Sequence, residues 1–162
     1  MLLLFLSSTV LCDIMQRGGV YMDKYKEIRP VALGIAVKNG KILVTEGTDK
    51  LSGKFFYRCL GGGIEFLEKG ADALKREFKE EIKIDVDVKE LLGISENIFT
   101  FEGKRGHELI LLFRVEIKDS DYKEEYYVEN DSGPDTRAVW IDVDEFKSKR
   151  SIIYPEEILT YL

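Results

Sequence analysis

From Lys26 onward, apolar residues recur with two different periods, and each period predicts its own kind of element. In "PVALGIAVKNGKILVTEG", Val31, Leu33, Ile35 and Val37 alternate with Ala32, Gly34 and Ala36, the period of two that sends successive side chains to opposite faces of a strand. The second face carries only small residues, so close packing against the backbone is expected there. Asn39-Gly40 then precedes another apolar run; both residues accept the positive φ of a type I′ turn, which predicts a hairpin. "KFFYRCL" predicts a short strand running into three consecutive glycines. The period changes in "LKREFKEEI", where Leu74, Phe78 and Ile82 repeat every four residues and predict a helix. "DVDVKELLGISENIFTFEG" and "HELILLFRVEI" read as two strands joined over Gly103 to Gly106, and "KDSDYKEEYYVENDSGPD" as a long acidic loop by composition. A last strand, "TRAVWIDV", is followed by a short helix, "DEFKSKR", and a terminal helix, "YPEEILTYL", with Pro155 at its first turn and Trp140 as core beside it. Mixed strands with helices before and after predict an α/β protein with its sheet covered on both faces.

Composition narrows this picture. With 162 residues and 44% apolar content the chain can build one compact core. Lys and Arg number 24 against 30 Asp and Glu, for a net charge of −6, and the cations are scattered, which argues against nucleic acid as a partner. Cys12 and Cys59 lie far apart without metal-ligand spacing, so neither a disulfide framework nor a zinc site is expected and a reducing cytoplasm fits. The opening "MLLLFLSSTVLC" lacks a basic region, is too short to span a bilayer and is followed by no small-residue cleavage pattern. Residues 1–21 are therefore read as a leader or a mis-assigned start ahead of Met22, disordered, with 22–162 as the domain and no membrane association.

Chemistry concentrates on the helix. Glu77, Glu80 and Glu81 stand at i, i+3 and i+4, on one side of it. Arg76 borders that side and can reach Glu80 one turn on, while Lys75, Lys79 and Lys83 point away. Like charges so placed cost about a few tenths of a kcal/mol per pair in water, and more once a domain packs around them. A divalent cation turns that cost into binding energy, and clustered hard oxygens suit Mg²⁺ or Mn²⁺. A solvated surface helix rich in Glu and Lys would show the same three residues.

The surrounding spacing separates the two readings. Gly62, five residues, Glu68, seven residues, then Arg76-Glu77-Phe78-x-Glu80-Glu81-x-x-Ile84 resembles the Nudix box of the Nudix hydrolase family. One fixed position departs: Lys83 stands where the family usually has glycine. Just outside the fixed positions, Leu67 fills another site that is often glycine. Losing glycine at 83 removes an easy positive-φ stop, so the helix is expected to run on slightly or end less sharply. The likeness extends from about Lys26 to Leu162 and implies the family's α/β/α sandwich with a mixed sheet. It also implies a metal-dependent hydrolase that cleaves the pyrophosphate bond of a nucleoside diphosphate linked to another group, acting on a small-molecule nucleotide. In that reading Glu77, Glu80, Glu81 and the Gly62 backbone carbonyl hold Mg²⁺, with Mn²⁺ as an alternative, and Arg76 orients the carboxylates. Glu68 braces the loop-helix junction or binds a metal through water. Glu80 is the first choice as the base that takes the proton from water, and Glu124, Glu125 or Glu129 of the acidic loop the second.

Weaker candidates surround this core. Arg58, just before the glycines, is a candidate phosphate contact, and Arg29 is similar; each is also an ordinary surface charge. His107 is read as a structural hydrogen-bonder and Cys59 as a small apolar filler. In the resemblance, a proline or a tyrosine fifteen or sixteen positions past the box marks ADP-ribose or dinucleoside polyphosphate cleavage. Phe99 and Thr100 stand there instead, and the substrate stays open, as does a homodimer. Two alternatives remain: a nucleotide-binding regulatory module that keeps the fold without hydrolysis, and an isomerase acting on an allylic diphosphate, ranked low because Cys59 adjoins the glycines.

Overall fold

The computed structural model describes residues 27–129 and 136–162. The leader reading of residues 1–21 and the tip of the acidic loop at 130–135 lie outside the described residues.

Strand β1 (Arg29–Lys38) is the axis of the sheet. Its hairpin partner is β2 (Lys41–Thr48), in a register that pairs Val37 with Ile42 and Lys38 with Lys41. Asn39 and Gly40 both have positive φ, 50° and 74°, as the type I′ turn requires. β3 (Phe55–Cys59) runs antiparallel to β2, and β4 (Gly61–Gly63) turns back to pair with Val31–Leu33 of β1. Beyond the helix α1 (Gly70–Ile82) come β5 (Val86–Phe101) and β6 (Lys104–Ile117). β6 pairs parallel with β1 over Arg29–Ala36, which makes the sheet mixed. The β5–β6 turn is two residues long, Glu102 and Gly103, both with positive φ. Lys104 to Gly106, expected in the link, therefore belong to the strand.

The sheet's two faces carry two separate cores, as an α/β/α sandwich requires. On one face, Ala73, Leu74, Phe78 and Ile82 of α1 pack on Ala32, Ala36, Phe113, Val115 and Trp140. The small residues of β1 make room for them: a Cβ at Gly34 would stand 3.0 Å from the Phe78 ring. On the other face, Val31, Leu33, Ile35, Ile42, Val44, Ile110 and Leu112 meet Phe146 of the short helix α2 (Val143–Lys147) and Ile158 of the C-terminal segment. Val37, expected on that apolar face, is exposed at the hairpin end.

Three expectations change. The acidic stretch is not all loop: β7 (Glu125–Tyr127) pairs with β8 (Arg137–Asp142) and buries Tyr126, because alternation within "EYYV" outweighs the acidic composition around it. The terminal helix is a 3₁₀ segment, Glu156–Tyr161, preceded by a two-residue strand β9 (Ile153–Tyr154) parallel to β3. Trp140 is core, but on the α1 face, its indole N–H donating to the Lys123 carbonyl at 2.9 Å.

The helix stop differs too. α1 ends at Ile82 and Lys83 takes the left-handed conformation, φ 61° and ψ 28°, without glycine. The Lys83 ammonium donates back to the Glu80 carbonyl at 2.9 Å and pairs with Glu129 at 2.6 Å. Leu67, in the turn before α1, also has positive φ, 67°, and its side chain is exposed. A left-handed non-glycine residue costs about 1 kcal/mol. Leu67→Gly should accordingly raise unfolding free energy by about 1 kcal/mol, and Lys83→Gly by less, because it gives up the two ammonium contacts; chemical denaturation checks both.

Candidate active site

The site is built on the junction between β4 and α1. Consecutive glycines let the chain lie flat against β1: a side chain at Gly61, whose φ is 131°, would overlap the Ala32 carbonyl. One residue on, a side chain at Gly62 would overlap the Glu77 carboxylate. The absence of a Cβ at 62 is what allows the first turns of α1 to set a carboxylate directly on the glycine strand.

Arg76 organises what gathers there, and all five of its N–H donors are used. Nε and Nη2 form a two-point pair with the Glu68 carboxylate at 2.9 and 3.0 Å. Nη1 donates to Glu77 at 2.8 Å and to Glu80 at 3.2 Å, and the second Nη2 hydrogen goes to the Gly63 carbonyl at 3.0 Å. Glu68 also accepts from the Glu65 amide at 3.0 Å. One planar guanidinium thus pins loop to helix, a task for which an ammonium has the wrong shape. The Arg76 pair first, and the Glu65 amide second, hold the Glu68 carboxyl below its ordinary value of 4.5. Arg76 in turn is held more firmly protonated, chiefly by Glu68.

Glu77 is partly buried beside Gly62, Glu80 is 60% exposed, and Glu81 is half-buried. Among the described residues, no three His, Cys, Asp or Glu side chains stand close enough to form a ready cage for an ion; the Arg76 guanidinium fills the gap between Glu77 and Glu80. The donor set nonetheless suits a hard divalent cation. Three carboxylates, Glu68, Glu77 and Glu80, meet one guanidinium, Glu81 stands on the same flank of α1, and no side chain at Gly62 separates its backbone from the Glu77 carboxylate. Exposure leaves Glu80 free to turn toward Glu77.

Of the second-choice bases, Glu129 is brought to α1: its amide donates to the Glu81 carbonyl at 2.8 Å and its carboxylate pairs with Lys83. Glu125 is engaged elsewhere, with Arg137 at 3.1 Å, and Glu124 is exposed. His107 bonds Glu96 at 2.9 Å. Cys59 is buried, its thiol pushed up to about 12 by desolvation, which fits an apolar filler. Arg58 and Arg29 both reach Glu108, at 3.0 and 3.8 Å. Glu108 was missed in the sequence, although a signal existed: it precedes Ile110 and Leu112 on the strand face that is otherwise core.

With fold and site in view, comparison with known proteins identifies the class. The sequence model of the NUDIX domain matches residues 28–161, and the chain belongs to the Nudix family. Members of this family are generally pyrophosphohydrolases. Similar solved structures include a MutT protein from Methanosarcina mazei (TM-score 0.55, 14% identity, covering 78% of this chain and 86% of that one). A MutT protein from Bacillus halodurans gives a TM-score of 0.54 at 21% identity, over 82% and 80% of the two chains. For a MutT Nudix hydrolase from Burkholderia pseudomallei the values are 0.52, 19%, 74% and 86%. At these identities the likeness is one of fold. Curated protein sequences gave no match.

The Glu68 carboxyl sets a pH dependence. A group whose folded pKa is depressed stabilises the fold above its unfolded pKa and loses that contribution as pH falls through the folded value. Thermal unfolding of the protein and of Glu68→Gln, followed from about pH 7 to about pH 3, should show a stability difference that is constant above the ordinary carboxyl value of 4.5 and shrinks below it.

Proposed function

We propose that the chain is a Mg²⁺-dependent pyrophosphohydrolase that cleaves a nucleoside diphosphate linked to another moiety, by attack of water on phosphorus. The carrying observation is the Arg76 network, in which one guanidinium meets three carboxylates on the flank of α1 that lies against the side-chain-free Gly62. Glu77, Glu80, Glu81 and the Gly62 carbonyl would hold the ion, with Mn²⁺ as a substitute. Its chemistry there is to neutralise phosphate oxygens and to acidify the attacking water.

The chain's own groups do the rest. Arg76 fixes Glu77 and Glu80 against their mutual repulsion. Glu68 holds Arg76 in place from the loop side. Glu80, the most exposed of the box carboxylates, has the freedom to meet substrate water and accept its proton. Glu129, docked at the C-terminal end of α1, is the alternative base. Arg58, on the strand that leads into the glycines, contacts phosphate. Among the described residues no helix is long and apolar enough to cross a membrane.

Product analysis on a panel of nucleoside triphosphates, nucleotide sugars and dinucleoside polyphosphates tests this reading. The protein should release phosphate-containing products only with a divalent ion, and Glu80→Gln and Glu81→Gln should each slow it by about a hundredfold or more without lowering the thermal midpoint. Hydrolysis that persists in a chelator overturns the mechanism. Binding of nucleotide without turnover points instead to the regulatory module.

A further inference from the structure

A second charge cluster adjoins the first, and its composition is unbalanced. Glu108 lies on β6, directly across from Arg29 of β1 on one side and Asn97 of β5 on the other. It is 3% exposed, and a carboxylate so deeply sealed must be paired. Arg58 Nη2 donates to Oε2 at 3.0 Å, and Arg29 Nη1 stands 3.8 Å from Oε1. A structural ion pair needs one cation; here one carboxylate serves two. The guanidinium side chains stay open to solvent, 32% exposed for Arg58 and 61% for Arg29, while the acid beneath them is closed off.

The position of the cluster gives the surplus cation a use. The Arg29 guanidinium lies over Gly63, where an added Cβ would stand 3.2 Å from Nη2. The carbonyl of the same glycine accepts from Arg76. The carboxylate-rich flank of α1 and the two-arginine cluster therefore meet at a single residue. In a chain of net charge −6, a site with acids to hold a cation on one part and spare guanidinium donors on the next matches a ligand that is itself a cation-bridged polyanion. Guanidiniums bind phosphate through a planar fork, so their orientation matters as well as their charge.

We infer that Glu108 is a positioning residue that fixes Arg58 and Arg29 as a paired clamp for the diphosphate group of the substrate. This deepens the pyrophosphohydrolase reading and rests on it for the identity of the ligand. Glu108 touches no substrate; it sets the planes of the two guanidiniums that do.

The sign of one substitution separates positioning from plain electrostatics. Glu108→Gln leaves the cluster with an additional net positive charge, so if charge alone mattered, anions would bind more tightly. Positioning requires the reverse. Inorganic pyrophosphate, titrated calorimetrically into the folded protein without divalent ion, should bind about tenfold more weakly to Glu108→Gln and to Arg58→Gln, the loss of one charge-assisted hydrogen bond. The double variant should be no weaker than the worse single one, because both changes break the same pair. On whichever nucleotide the protein hydrolyses, both variants should raise KM by a similar factor while kcat stays within about twofold. Tighter or unchanged pyrophosphate binding by Glu108→Gln, losses that multiply in the double variant, or a wild-type protein that does not bind pyrophosphate each overturn the inference. Should Glu108→Gln fail to fold, Arg58→Gln decides alone: wild-type pyrophosphate affinity in that variant overturns it. If no nucleotide is hydrolysed, the enzymatic reading fails while the pyrophosphate titration still judges the clamp.

Discussion

Repulsion among the carboxylates of α1 is the constraint around which this protein is arranged. Glu77 and Glu80 project from the same flank as Glu81, and Glu68 is brought back onto that flank from the preceding loop. Arg76 makes the arrangement tolerable by donating all five of its hydrogens, two to Glu68, one each to Glu77 and Glu80 and one to the Gly63 carbonyl. Three carboxylates against one guanidinium still leave negative charge over. That remainder is what the proposed divalent cation would neutralise.

Close approach does the rest of the work. Gly34 admits the Phe78 ring to the sheet, Gly61 admits β4 to the backbone of β1, and Gly62 admits the Glu77 carboxylate to β4. The same helix thus buries its apolar stripe and delivers its acidic one, since Leu74, Phe78 and Ile82 fix the rotation at which Glu77 and Glu80 arrive. Packing and site geometry are two consequences of one periodicity. At the far end of α1, Lys83 stops the helix in a conformation glycine would adopt more cheaply, and its ammonium ties the stop to Glu129 of the acidic segment. A departure from the usual box residue therefore carries a contact of its own.

What could be read from the chain depended on how local the cause was. The β1–β2 hairpin followed from Asn39-Gly40, and α1 with its three faces from the spacing of Leu74, Phe78 and Ile82, because turn chemistry and periodicity act over a few residues. The box spacing identified the family, which the match over residues 28–161 bears out. Where the cause was tertiary, reading failed. β7 looked like loop because its pairing with β8 lies across the chain; β9 is two residues long and exists only because β3 offers it an edge. Pro155 marked the start of a helix but not its 3₁₀ character. Glu108 went unnoticed because its partners, Arg58 and Arg29, are 50 and 79 positions away and only the sheet brings them together.

The excess acid of α1 has a role in catalysis only if it captures a cation. Calorimetric titration of Mn²⁺ into the purified protein, with a Glu77→Gln variant alongside, measures this directly. Saturable binding that disappears in the variant is the predicted result. An absence of binding by the wild-type protein, whether or not a nucleotide is present, would contradict it and return the acidic flank to the status of a solvated surface.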